Sequence, residues 1–304
     1  MDDFHWLNGL EEYFTVTGQE FNQSKIHRIK QSLMDGNSYA IRELMIDEIK
    51  RGWGENSQSF VKLIMHQLFD EETIELSNRR ILKYISHCIE DEFIKKISSW
   101  SIKWGDKTNL SDHFSRGQMK SKFWLISELN TLEYTPQNVA IYGGWYATIV
   151  YFLFYNWGDE LKRVRNFEID EMAIAISDNF NYEQYNQNWR FKATVADVST
   201  IKWNEWNQLS YIIKNRNGVN QHETLNADLI INTSCEHMDN SWFENIPEGK
   251  LIALQTNDYF SNEQHVNCCQ DLTEAKEKYK FSNIYYSGTL DTGLYNRFMI
   301  IGRK

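Results

Sequence analysis

From residue 138 onward the chain is built of short apolar runs separated by glycines and polar residues. Residues 138–142 (NVAIY) have the β-branched, apolar make-up of a buried strand, and Gly143-Gly144 follows at once. Residues 147–157 form an apolar segment, helical in length, that ends near Gly158. Residues 163–169 are a second strand-like run, closed by Asp170. Residues 189–195, ending just before Asp197, then 227–232 and 250–255, read as further strands with helix-compatible segments between them. Residues 283–287 and 297–301 close the chain as a final pair of strands. This alternation predicts an α/β sheet, parallel apart from its last strand.

The first part of the chain has a different period. Ile41, Leu44, Met45 and Ile49 share one face of a predicted helix over 38–50, and Val61, Ile64, Met65 and Leu68 do so over 59–69. A longer helical run over 72–100, broken once, turns Ile81, Ile85, Ile89 and Ile97 inward, and Gly52 and Gly54 mark a turn. In the connecting stretch, Ser111 or Asp112 is placed to cap a helix whose inward residues are Met119, Phe123, Leu125, Ile126 and Leu129, and Pro136 ends it. The organisation predicted is a helical domain over 1–110 and an α/β domain over 111–304, with the helical part a cap or a homodimer contact.

Composition narrows the partners. A formal net charge of −10 argues against affinity built on a broad phosphate-binding surface, so nucleic acid is not the expected partner. The four cysteines, Cys88, Cys235, Cys268 and Cys269, form no CxxC pair and suggest a reducing, cytoplasmic setting. The acidic N-terminus lacks the design of a signal peptide, and the most apolar stretch is too short for a bilayer, so no membrane partner is expected. The 11 tryptophans fit a well-packed core better than a pocket lined with aromatic faces.

The sequence of strand, glycine turn, helix, strand and acid resembles the class I S-adenosylmethionine-dependent methyltransferases, over roughly residues 116–304. The resemblance implies a Rossmann-like methyltransferase sheet with S-adenosylmethionine as cofactor and a small or medium-sized molecule as acceptor. It implies that Gly143, Gly144 and Tyr146 lie along the cofactor, that Asp170 holds its ribose, that Asp197 sits by the adenine, and that Asn232 lines the same crevice. It also implies that Arg116, on the helix before strand one, reaches the cofactor's carboxylate. The glycine motif is degenerate. The usual strand-one acid falls on Ile141, and the second and third turn glycines fall on Trp145 and Ala147.

Ligands in open α/β sheets bind beyond the C-terminal ends of the strands. Glu236-His237, after the fourth strand, resembles a Glu-His pair found there in many small-molecule methyltransferases, and both are candidate catalytic residues facing the acceptor. An Asn/Asp-Pro-Pro-Tyr/Phe motif of DNA-base methylation is missing. Cys235, His237, His265, Cys268 and Cys269 are all zinc-binding residue types, but their spacings match no standard zinc motif, and no metal is expected. Three other readings stay open: transfer of the cofactor's aminobutyrate group, a binding or structural protein that keeps the fold without turnover, and a nucleic-acid-modifying enzyme if Arg116, Lys120, Lys122 and Arg163 form one basic patch.

Overall fold

The computed structural model describes residues 5–35, 78–89, 91–104, 108, 110–215 and 217–304. The helices expected over 38–50 and 59–69, the start of the run over 72–100 and the turn at Gly52 and Gly54 lie outside the described residues. The chain forms two compact units, Met1–Lys120 and Ser121–Lys304.

In the first unit, α1 (His5–Val16) and α2 (Glu20–Met34) pack side by side, as do α3 (Asn78–Cys88) and α4 (Glu92–Trp104). Trp6, Leu7, Leu10, Tyr13 and Phe14 make one buried stripe along α1, at the three- and four-residue spacing of a helix face. Ile81, Ile85, Ile89 and Ile97 are all buried, and among the described residues the run breaks between α3 and α4, where the Asp91 carboxylate accepts from the Ile94 amide at 3.1 Å. The connecting helix is not continuous from Ser111. A short α5 (Leu110–His113) ends first, and α6 (Arg116–Asn130) restarts with the Ser115 hydroxyl accepting from the Gln118 amide at 3.4 Å. Met119, Leu125 and Leu129 are buried as expected, while Phe123 and Ile126 are half-buried.

The second unit is a seven-stranded sheet. Its strands are β1 (Asn138–Tyr142), β2 (Arg163–Glu168), β3 (Phe191–Val195), β7 (Leu229–Asn232), β8 (Leu251–Asn257), β9 (Asn283–Asp291) and β10 (Asn296–Arg303). They run in the order β3-β2-β1-β7-β8-β10-β9, and only β10 pairs antiparallel with its neighbours. The last strand is the reversed one, as the sequence predicts.

Successive residues of β1 feed opposite faces. Val139 and Ile141 join a core with Leu125 and Leu129 of α6 and with Val150 and Leu153 of α7 (Ile149–Trp157). Ala140 and Tyr142 join the other core, and here the sequence reading fails. Between β3 and β7 the described residues form no covering helix. They form an antiparallel sheet of β4 (Lys202–Trp203), β5 (Leu209–Lys214) and β6 (Asn220–Leu225), which packs Leu209, Tyr211, Ile213 and Leu225 into that core. The reason is local. Leu209, Tyr211 and Ile213 recur with the period of a strand, and Asn215 closes the hairpin by accepting from the Asn217 and Val219 amides at 3.0 Å each.

Candidate functional site

The sheet order reverses between β1 and β7, so their C-terminal ends flank the crevice where an open α/β sheet takes a ligand. On the β1 side the wall is the turn 143–147. Gly143 has φ +61°, Trp145 +49° and Ala147 +50°. These three are the positions where the resemblance places glycines, so the left-handed backbone is kept although two of the glycines are not. Holding an L-residue there costs roughly 1–2 kcal/mol. Side chains of β2 hold it. The Asn166 amide oxygen accepts from the Gly144 N–H at 3.2 Å, its Nδ2 donates to the Trp145 carbonyl at 3.2 Å, and the Glu168 carboxylate accepts from the Trp145 N–H at 2.8 Å. A Cβ on Gly144 would lie 2.7 Å from Ile141 Cγ2 and closer still to the Asn166 amide oxygen, so only glycine fits this close approach.

Tyr146 is buried, its ring stacked on Trp145 with centroids 4.3 Å apart. Asp170 stands one residue beyond the exposed Ile169 and caps α8 (Glu171–Phe180), accepting from the Met172 amide at 2.8 Å. The acid that ends β2 is Glu168, buried, whose other oxygen accepts from the Ile169 and Asp170 amides at 2.8 and 3.2 Å. Asp197, after β3, is exposed and accepts from the amide and hydroxyl of Ser199. Arg116 binds Glu11 at 3.5 Å and Glu12 at 4.0 Å within the first unit.

On the β7 side, buried Asn232 shapes the loop. Its oxygen accepts from the Ser234 amide at 2.9 Å and its Nδ2 donates to the Met238 sulfur at 3.2 Å. Ser234 Oγ donates to the Gly143 carbonyl at 3.0 Å, joining the two walls. The Met238 methyl lies over Gly143, 2.9 Å from where a Cβ would be. Glu236, expected to face the acceptor, is buried instead. Its Oε1 accepts from Asn257 Nδ2 at 2.6 Å and from Arg297 Nη2 at 3.2 Å, while Arg297 Nη1 donates to the Thr233 carbonyl at 3.1 Å. A carboxylate able to pair with a buried guanidinium is drawn inward, and only His237 of the Glu-His pair reaches the surface.

His237 lies against His265 from the loop after β8, ring centroids 4.6 Å apart and nearly perpendicular. Burial holds the His265 imidazole below the ordinary histidine value, against the opposing pull of the Glu236 charge. Burial, helped by Glu236, pushes the Cys268 thiol up to about 11, and burial raises Cys235 and Cys269 as well. These cysteines are therefore protonated packing residues at neutral pH. Glu168, Asn166 and Arg297 are the residues that sequence reasoning missed.

No protein-family model and no curated protein matches this chain. Solved structures do match at low identity. N-methyltransferase NodS from Bradyrhizobium japonicum WM9 is 10% identical with TM-score 0.43, over 62% of this chain and 96% of its own. Magnesium protoporphyrin IX methyltransferase (ChlM) from Synechocystis PCC 6803, solved with bound SAM, is 11% identical with TM-score 0.40, over 82% of this chain and 93% of its own. Spermidine synthase from Thermotoga maritima is 14% identical with TM-score 0.33, over 55% and 53%. With its strand order, its single reversed strand and its turn at the β1–β7 switch point, the second unit has the Rossmann-like fold of the class I S-adenosylmethionine-dependent methyltransferases.

Proposed function

We propose that this protein is an S-adenosylmethionine-dependent methyltransferase acting on a small or medium-sized acceptor. The observation that carries the reading is the turn 143–147, which keeps three left-handed residues at the switch point at an energetic cost. The cradle fits an adenosyl-type ligand. Gly143 presents no Cβ, and the group over it is the end of a flexible methionine side chain. Gly143, Gly144, Tyr146 and Asn232 would hold the methionine half, and Asp197 the adenine side. Two acids stand near the end of β2 for the ribose hydroxyls, Asp170 and Glu168. When bound, the cofactor supplies a sulfonium methyl with a good leaving group, so alignment does most of the work. His237, the exposed imidazole beyond β7, accepts a proton from the acceptor where one must leave, while the Glu236–Arg297 pair positions its loop.

Calorimetric titration of the full chain with S-adenosylmethionine and its demethylated product tests the reading, and absence of binding overturns it. Asp170→Ala is expected to weaken binding at least about tenfold, as loss of hydrogen bonds to a charged acceptor does. If only Glu168→Gln does so, the ribose ligand is the last residue of the strand. A second reading, a binding protein without turnover, is favoured by the side chains at Trp145 and Ala147. It predicts tight binding of both ligands with no methyl transfer to any acceptor.

A further inference from the structure

We propose that the outer edge of β9 is a docking site for a second copy of this chain, which adds its own β9 antiparallel across a two-fold axis. β9 ends the seven-stranded sheet, and among the described residues its one neighbour is β10. The hairpin fixes which backbone groups of β9 face outward. The Thr292 amide donates to the Tyr295 carbonyl at 3.1 Å, so these two form a bonded pair. Bonded and non-bonded pairs alternate along an antiparallel ladder, which commits the backbone groups of Tyr286, Gly288 and Leu290 to β10. The N–H and C=O of Ser287, Thr289 and Asp291 then face the open edge, and none of the described residues bonds them.

The opposite edge of the same sheet is closed. There β3 is five residues long, and its outward Ala193 amide donates to the Asp178 carboxylate of α8 at 2.9 Å. Lys192 stands on that edge and pairs with the same carboxylate. Charge, shortness and a covering side chain are the usual means of keeping a strand edge from pairing. β9 has none of them: it is nine residues long, none is buried, and it contains no lysine, arginine or proline. A bulge leaves Tyr285 without a partner on β10, so the regular edge runs over residues 286–291. The segment is already held extended. The Tyr286 hydroxyl accepts from Trp124 Nε1 at 3.0 Å, and the end of the Tyr286 ring lies over Gly288. A fixed template loses little freedom on pairing.

Charge and symmetry select the occupant. A chain of net charge −10 repels its own copies over most of its surface, so copies meet where charge is absent. Residues 283–290 carry no charge, and Asp291 is the strand's only acid. With the two-fold axis at Thr289, that residue faces its own copy, and Ser287 faces Asp291 of the partner subunit, whose carboxylate can accept from the hydroxyl. Gly288 leaves room for Leu290 of the partner subunit. This register joins every outward N–H to a C=O, about six hydrogen bonds between the chains. Centring the axis on Asp291 would instead set carboxylate against carboxylate, so the register is specified. An unrelated extended peptide could use the same backbone groups but would not gain from this symmetry. The inference goes beyond the methyltransferase reading and does not rest on it.

Sedimentation equilibrium of the full chain is expected to show a dimer with a dissociation constant in the micromolar range. Thr289→Pro removes an outward N–H from each copy and spares the β9–β10 bonds, while Thr289→Lys brings two like charges together. Each should weaken the dimer at least about tenfold, with the circular dichroism of the monomer unchanged. Thr289→Cys reads the register directly, because the four native cysteines are buried. Facing residues of a bonded pair have Cα atoms about 5.5 Å apart, within disulfide reach. Oxidised glutathione should therefore cross-link Thr289→Cys far faster than Tyr285→Cys, which lies at the bulge. If the proline variant fails to fold, the lysine and cysteine variants carry the test. A monomer at several hundred micromolar, a dimer undiminished by Thr289→Lys, or cross-linking no faster at Thr289→Cys than at Tyr285→Cys would each overturn the proposal. Cofactor titration is a separate measurement, so failure here leaves the methyltransferase reading standing.

Discussion

The two walls of the crevice are built by opposite means. The turn after β1 is a backbone structure: its left-handed residues are held by amide contacts from Asn166 and Glu168, and the side chains at Trp145 and Ala147 are not the ones such a backbone prefers. The loops after β7 and β8 are a side-chain structure, in which one buried carboxylate ties together Asn257 and Arg297. A wall of the first kind tolerates changes of residue as long as the dihedral angles survive. A wall of the second kind tolerates changes of backbone but not the loss of a partner. A glycine motif can therefore fade from the sequence while its geometry persists.

The largest test of this contrast is Arg297→Met. It leaves Glu236 buried without its cation, and unfolding free energy should fall by about 3–5 kcal/mol in urea titrations. A loss below about 1 kcal/mol would remove the pair as the organiser of that wall. Next is Gly144→Ala, whose Cβ would press on Ile141 and Asn166. A cost of about 1–3 kcal/mol is expected, with cofactor affinity falling alongside.

Trp145→Gly should move stability by less than about 1 kcal/mol, because relief of the left-handed strain is offset by a more flexible unfolded chain and by the lost stack on Tyr146. Retained cofactor binding in that variant would show that dihedral angles, not the indole, define the first wall. The smallest effect concerns Cys268. With its thiol near 11 in the folded protein, alkylation at pH 8 should run about a hundredfold slower than after unfolding. The sign for stability follows: a raised thiol value favours the folded state at lower pH, and that contribution disappears as pH rises through about 11.

Much of the fold is legible in the sequence because buried parallel strands such as β1, β7 and β8 are apolar runs, and each of the seven strands of the large sheet overlaps a strand read from the sequence. The three-stranded sheet is not. Its β6, NQHETL, is polar and mostly exposed, so neither period stands out. The acid of β2 is misplaced for a related reason. Ile169 extends the apolar run by one residue, yet it is 70% exposed and lies beyond the strand, so the eye passes over Glu168 and stops at Asp170. Arg297 is invisible for a third reason. Its partner Glu236 lies 61 positions away, and no local pattern marks a contact made only by strand order.

The seam between β1 and β7 pairs Val139 with Leu229, whereas the neighbouring β1–β2 seam pairs Val139 with Val164. Everything from α7 through the three-stranded sheet lies inside the loop that the first seam closes. Loop-closure entropy grows with the length of chain enclosed, and non-local pairings form late. During folding, the β5–β6 hairpin and the β1–β2 unit therefore assemble ahead of the seam that carries the crevice. Pulse-labelled hydrogen exchange should protect the amides of Tyr211 and Ile213 before those of Ile230 and Ile231, and the ability to bind a ligand should be the last property this chain acquires.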